Sequence, residues 1–279
     1  MKATLWGTRG SLASAGPDTI RYGGDTAAVE VRGPGGETLV LDAGSGIRPI
    51  GDHLAADVPR LDILLTHLHM DHIQGLGFFA PLFDPTVDVH IWGPGSTTLS
   101  LGKRLTRYLS PPLFPVLLRD LPSMTLHEIH PPATFDIGSL SIQADLIVHP
   151  GPTLGYRIES TDCVLAYLPD HEPALGVSGF LAHAAWTSGF DLARQADVLI
   201  HDAQYTDDEY RQRIGWGHST FEHALDFAGL AGVKRLVTFH HDPGHSDDKL
   251  DGVLEEMRAR GDLGFELIPG QVGLTLCVE

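Results

Sequence analysis

Short apolar runs, each cut by glycine or proline, set the plan of the chain. Residues 61–65 (LDILL) are apolar at four of five positions, the pattern of a strand buried on both faces. Residues 197–201 (DVLIH) and 236–239 (LVTF) have the same character. Further strands are predicted over 2–6, 27–32, 37–42 and 87–92, with Gly33-Pro34-Gly35-Gly36 turning the second into the third. In the second half, 141–149 and 154–160 flank Pro150-Gly151-Pro152-Thr153, 163–168 follows, and a last strand over 272–278 is expected to close that half. Helical spacing predicts one helix around 98–108. Another starts after His218, where Phe221, Ala224, Leu225 and Ala228 form a stripe behind a capping box of Ser219 and Glu222. A final helix is capped near Ser246, with Asp247 and Asp248 in its first turn and Leu250, Val253, Leu254 and Met257 on one face. Strands followed by helices, twice over, suit an α/β chain of αββα type: two mixed sheets packed face to face with helices outside.

The strand at 61–65 empties into Thr66-His67-Leu68-His69-Met70-Asp71-His72. Three imidazoles and a carboxylate within six residues repel one another when charged and leave donors unpaired when buried, a penalty that a metal ion removes. His67 and His69, two residues apart on an extended segment, project to the same side and can share one ion. Asp71 and His72 stand where a helix is expected to begin and point toward a second. His149, Asp170 and His240 also stand at strand ends, where loops of a layered α/β fold carry chemistry.

The run His67-x-His69-x-Asp71-His72 resembles the H-x-H-x-D-H signature of the metallo-β-lactamase fold superfamily. The resemblance covers nearly the whole chain, least over 93–132 and over 171–193, where Trp186 and Phe190 suggest a packed flap. It implies a single hydrolase domain over 1–279 with two divalent metal ions. His67, His69 and His149 would hold the first ion, Asp71, His72 and His240 the second, and Asp170 would bridge both. His241 follows the same strand as His240 and stays the alternative at that position. Asp71 counts among the catalytic residues as well as the ligands. Asp42 is implied to orient the ligand loop; its other reading, an N-cap for a helix near Ile47, is compatible. Five imidazoles and two carboxylates without a thiolate suit Zn2+ and tolerate Mn2+ or Fe. Two such ions about 3.5–4 Å apart can share a hydroxide and stabilise the attacking and leaving oxygens of a phosphoester displacement.

Gly217-His218-Ser219-Thr220 looks like the His-Ser-Thr loop of the ribonuclease Z and phosphodiesterase branch. His201-Asp202-Ala203 resembles that branch's His-Glu-Ala-Thr loop, with Asp in place of Glu. Through this resemblance His218 becomes the acid for the leaving oxygen and Asp202 its orienting partner; otherwise His218 merely precedes a helix cap. Trp6-Gly7-Thr8-Arg9-Gly10-Ser11 and Arg21-Tyr22-Gly23-Gly24-Asp25-Thr26 look like the same branch, leaving Arg9 and Arg21 as cations open to a substrate role. Arg104, Arg107 and Arg119 read as a solvated helix face more readily than as a phosphate-binding rim.

Charge narrows the substrate. Lys and Arg number 19 against 36 Asp and Glu, a net charge of −17, and such a field repels polyanions. Ribonuclease Z carries a long tRNA-gripping arm, whereas here no glycine- and lysine-rich insertion is visible and only twenty residues separate His149 from Asp170. The expectation is therefore a small phosphodiester such as a cyclic nucleotide, with long nucleic acid disfavoured. Ribonuclease Z-like tRNA 3′ processing is the alternative within the branch. A lactamase, lactonase, thioesterase or sulfatase is disfavoured by the His218 loop, and a metal-dependent non-hydrolase or silent binding protein by the intact ligand set. The start lacks an apolar leader and no run reaches about 18 apolar residues, so a cytoplasmic protein with no membrane partner is expected. Cys163 and Cys277, in apolar runs without a C-x-x-C partner, are expected as small core residues. A homodimer is expected from the family resemblance alone.

Overall fold

β-Branched and leucine-rich runs in this chain are continuous where a strand is covered twice and alternate where it is covered once, so burial reads directly into layers. The computed structural model describes residues 1–54, 58–173 and 183–278. In chain order the elements are β1 (Lys2–Gly7), β2 (Ala28–Arg32), β3 (Thr38–Leu41), α1 (Ile47–His53), β4 (Arg60–Leu64), α2 (Met70–Ile73), β5 (Asp88–Pro94), α3 (Leu101–Leu105), β6 (Met124–Ile129), β7 (Ala133–Ile137), β8 (Leu140–Leu146), β9 (Leu154–Glu159), β10 (Val164–Leu168), α4 (Phe190–Ala193), β11 (Val198–Asp202), α5 (Asp207–Tyr210), α6 (Phe221–Ala231), β12 (Arg235–Phe239), α7 (Asp247–Arg258), β13 (Glu266–Pro269) and β14 (Thr275–Cys277).

The strands form two seven-stranded sheets, ordered β14-β1-β2-β3-β4-β5-β6 and β13-β12-β11-β10-β9-β8-β7. Each sheet is antiparallel at one side and parallel at the other, the parallel runs being β3 to β6 and β10 to β13. Leu5, Val29, Leu41 and Leu64 of the first sheet meet Tyr156, Leu165, Tyr167, Ile200 and Phe239 of the second in the central core. Ile63, Leu65, Ile91 and Val40 turn the other way, against Ile47, Ile50 and Phe79. Leu168, Leu199 and Leu236 lie under Ala224, Phe227, Ala228, Leu250 and Leu254 of α6 and α7. The αββα architecture expected from the sequence is the one observed. The two parallel runs end at the same edge of the sandwich, where the carboxyl ends of strands leave room for a ligand. There Asp42 follows β3, Thr66 to His72 follow β4, Asp170 follows β10, Asp202 ends β11 and His240 follows β12.

Several expectations need correction. The last strand does not close the second half: β14 pairs antiparallel with β1, as Lys2 to Cys277 and Thr4 to Thr275. It covers an edge of the first sheet that would otherwise present unpaired backbone groups, and short apolar runs carry no information about which edge they join. The helix after His218 is capped by Thr220, whose hydroxyl accepts from the His223 amide, not by Ser219. Ser219 Oγ instead donates to the His171 carbonyl and Glu222 pairs with Arg260. The helix expected over 98–108 is confined to Leu101–Leu105. Within 93–132 lies β6, half-buried and without a strong apolar run, which the sequence did not reveal. Cys163 is buried as expected, but Cys277 is exposed at the edge formed by β14. Of the flap expected over 171–193, residues 174–182 lie outside the described residues; Phe190 packs against the α6 layer and Trp186 is exposed. No helix among the described residues is long and apolar enough to cross a membrane.

The two sheets are also joined by polar bonds beside the ligand loop. Tyr156 Oη, on β9, donates to the Leu65 carbonyl at 2.7 Å, and the Leu154 amide donates to the Thr66 carbonyl at 2.9 Å. Tyr156→Phe removes only the hydroxyl and is expected to lower the unfolding free energy by about 1–2 kcal/mol, read from the midpoint of chemical denaturation. An unchanged midpoint would show that this bond adds nothing to stability.

Candidate metal centre

Backbone geometry at the strand ends aims the cluster. The Leu65 amide still bonds to the Trp92 carbonyl, and the next residue, Thr66, turns its amide to Asp42 Oδ1 at 2.8 Å. From there the chain runs extended to His69, and α2 begins at Met70, which brings Asp71 and His72 round on its first turn. Asp42 and His240 adopt left-handed backbone conformations, with φ of 59° and 60°. Asp and His tolerate that region better than most residues, and such strain marks positions held by their surroundings. A glycine at position 10 is required sterically, because a Cβ there would stand 2.3 Å from His240 Nδ1.

Seven side chains converge in two groups. In one, the ring nitrogens of His67, His69 and His149 lie within 4.8 Å of one another, with His149 Nε2 3.1 Å from His69 Nδ1. In the other, His72 Nε2 is 3.3 Å from Asp71 Oδ2, 3.0 Å from Asp170 Oδ1 and 3.3 Å from His240 Nε2. His240 Nε2 in turn is 3.2 Å from Asp71 Oδ2 and 3.3 Å from Asp170 Oδ1. A tetrahedral ion with ligand bonds of about 2.0–2.1 Å has ligand–ligand edges of about 3.3 Å, so the second group already has the dimensions of a coordination shell. Asp170 faces both groups, its Oδ2 being 3.8 Å from His67 Nε2 and from His149 Nε2. His67 Nε2 and Asp170 Oδ1 are buried and in no hydrogen bond; orphaned lone pairs of this kind inside a histidine cluster fit a metal. His241 lies outside the cluster, bonded through Nε2 to the Gly270 carbonyl.

Outer partners set which ring nitrogen faces inward. His149 Nδ1 donates to the Gly217 carbonyl at 2.8 Å and His72 Nδ1 to Asp42 Oδ2 at 2.8 Å, so Nε2 of each carries the free lone pair. Thr66 Oγ donates to Asp42 and therefore accepts from His67 Nδ1 at 3.0 Å. Asp42 also takes the Tyr167 hydroxyl at 2.9 Å, and the Ser11 amide donates to Asp71 Oδ2 at 2.7 Å. Such partners fix tautomer and ring direction before any ion arrives. Asp42 does not cap α1, whose N-cap is Gly46.

The electrostatics divide the histidines. Burial drives His67 well below its ordinary value, helped by His72, and takes His149 to about 4 despite Asp170; both rings are neutral donors. Burial also opposes charge on His72 and His240, yet Asp170 and Asp71 overcome it and raise both. Burial pushes Asp170 up, and His240, His72 and His67 pull it well below the carboxylate range. The second group thus demands positive charge, which protons or a divalent ion can provide.

Beside this centre, His218 Nδ1 donates to Asp202 Oδ2 at 2.7 Å. The remaining capacity of Asp202 is taken by the amides of Gln204 at 3.0 Å, Ser219 at 3.1 Å and His171 at 3.2 Å. The His218 ring stacks on His240 at 5.0 Å and stands 5.0 Å from His149. It spans both groups.

A model of the Beta-lactamase superfamily domain matches residues 37–241. The chain belongs to the beta-lactamase superfamily. It is 27% identical to a ribonuclease Z of Mycobacterium sp. (strain KMS) over an alignment spanning 100% of this chain and 99% of that protein. Among solved structures it resembles the metallo-beta-lactamase fold protein YhfI from Bacillus subtilis, with TM-score 0.71, 18% identity and 99% of both chains covered. It also resembles human tRNase Z, short form, with TM-score 0.69, 22% identity and both chains fully covered. This member of the superfamily is a metal-dependent hydrolase.

All nine predicted site residues of this superfamily member fall at one end of the sandwich. Thr66, Tyr167, Ser11 and Gly10 join them although none was a candidate site residue, since each acts through a backbone group, a hydroxyl or the lack of a side chain. Arg9 and Arg21, open as substrate cations, are otherwise engaged. Arg9 is fully buried, donating to the carbonyls of Gly23, Asp242 and His245 and facing Asp247; Arg21 pairs with Asp248 and Asp251. Arg104 donates to the Pro94 carbonyl.

Asp42→Asn keeps a residue that tolerates the left-handed backbone but puts a donor either where His72 Nδ1 and Tyr167 Oη donate or where the Thr66 amide does. Affinity for divalent ions is expected to fall about 10–100-fold, measured by chelator competition. Unchanged affinity would remove Asp42 from any part in orienting the ligands.

Proposed function

We propose that the chain is a dinuclear metal-dependent phosphodiesterase, acting as one catalytic domain on a small phosphodiester such as a cyclic nucleotide. The observation that carries this reading is His218, oriented by Asp202 at 2.7 Å and stacked over the two ligand groups. His67, His69 and His149 would hold one ion and Asp71, His72 and His240 the other, with Asp170, which faces both groups, available to each. Zinc suits this thiolate-free donor set. When bound, the ions supply Lewis acidity, activating water near neutral pH and neutralising charge on the phosphoryl oxygens.

The chain's own residues supply the rest. The Ser11 N–H holds the Asp71 carboxylate in place. With Nδ1 committed to Asp202, His218 has only Nε2 with which to pass a proton to the departing oxygen. His69 is the exposed ligand, beside exposed Met70, so the substrate enters on that side. The interval between His149 and Asp170 is occupied by the hairpin β9–β10, part of the core, and a net charge of −17 opposes a polyanion. Both favour a small substrate. A second reading, ribonuclease Z-like action on precursor tRNA, is supported by the full-length similarity to a ribonuclease Z.

A metal-replete assay on cyclic and linear nucleotides and on a precursor tRNA separates the two. Turnover is expected on a small phosphodiester, with tRNA cleaved poorly at physiological salt; efficient and accurate 3′ processing would replace this reading with the second.

His218→Ala is expected to keep its metal content and to slow an alkyl phosphodiester by roughly 10²–10⁴. A nitrophenyl phosphodiester, whose leaving group needs little protonation, should lose much less. Equal slowing of both at full metal content would take the proton-donor role from His218.

A further inference from the structure

Glu172 lies two residues past Asp170, is fully buried and has no part in the ligand set. Its carboxylate is nonetheless saturated. Oε1 accepts from Tyr210 Oη at 2.6 Å and the Gly215 amide at 2.9 Å, while Oε2 accepts from the Gly217 amide at 2.8 Å and from the Gly215 amide at 3.1 Å. Its own amide bonds to the Val148 carbonyl at 2.9 Å, just before His149. A buried carboxylate is retained only where several donors compensate it, and here three of the four bonds end on the backbone of one short loop.

That loop leads into the site. Gly215 and Gly217 have φ of 86° and 88°, and a Cβ at Gly217 would stand 2.3 Å from His149 Nδ1. The Gly217 carbonyl is the acceptor for His149 Nδ1–H, and the next residue is His218. A left-handed glycine pair would sample many conformations if left to itself, and its tip, Trp216, is largely exposed and anchors nothing in the core.

We propose that Glu172 is a positioning residue. Its carboxylate locks the 215–218 loop and thereby sets both the orientation of His149 and the place of His218 over the centre. The effect on proton donation rests on the phosphodiesterase reading; the locking of the loop does not.

The test takes the full chain and compares wild type with Glu172→Gln, in which one amide hydrogen must face a loop N–H whichever way the side chain is turned. Hydrogen exchange at the Gly215 and Gly217 amides is expected to quicken roughly 10–10²-fold, with amides of β11 and β12 unchanged. Turnover of the alkyl phosphodiester should fall by more than that of the nitrophenyl one. Combined with His218→Ala, Glu172→Gln should cost the alkyl substrate less than it does alone, the share that acts through His218 being already lost and only that through His149 remaining. Tyr210→Phe, a milder change that removes one bond to the same carboxylate, should move exchange in the same direction by a few-fold, and it keeps the question answerable if Glu172→Gln does not fold. Unchanged exchange at Gly215 and Gly217 in the variants would overturn the proposal whatever the activity. Quickened exchange with fully additive kinetics would overturn the link to His218. If His218→Ala alone proved indifferent to the leaving group, the phosphodiesterase mechanism would fail while the exchange result still decided the role of Glu172.

Discussion

A carboxylate with no access to water, that of Asp42, ties the ligand loop to both sheets. It follows a strand of the first sheet and accepts from Thr66 and His72 of the ligand loop and from Tyr167 of the second sheet. An uncompensated charge at such depth is among the most expensive errors a fold can contain. Thr66, His72 and Tyr167 therefore cannot move independently, and two of the rings that face the centre inherit their direction from this one group.

The same logic recurs around the site with other carboxylates. Asp202 gathers His171, Gln204, Ser219 and His218 at the end of β11, and Glu172 gathers Tyr210, Gly215 and Gly217. Asp42 thus organises the ligands from the first sheet, Asp202 the candidate acid, and Glu172 the loop between them. Asp71 and Asp170 are different: they meet imidazoles almost exclusively and retain capacity for a cation. Carboxylates with filled hydrogen-bonding shells orient, and those with open ones bind.

The amino-terminal loop closes the remaining side. Gly10 lies flat against His240, the Ser11 amide reaches Asp71, and buried Arg9 clamps the segment after His240 through the Asp242 and His245 carbonyls. A cation that looked free to meet a phosphate is instead a strut. Access is left on the side of exposed His69 and Met70.

The residues 61–72, by themselves, determined a buried strand ending in a metal-seeking cluster, because apolar continuity and ligand spacing are local properties. The layer order and the standing of His149, Asp170 and His240 at strand ends were legible for the same reason, each sitting where a periodic run stops, whereas their grouping as ligands and the part given to the 217–220 loop came through the family resemblance. What only the tertiary structure decided is non-local. It separated His240 from His241, since two adjacent imidazoles at a strand end differ only in backbone conformation. It sent β14 to the first sheet, because a short apolar strand does not encode its partner. It gave Tyr167, Gly10 and Glu172 their places, since a hydroxyl, a carboxylate or an absent side chain acquires a role only from the donors, acceptors and rings that folding brings within about 3 Å of it.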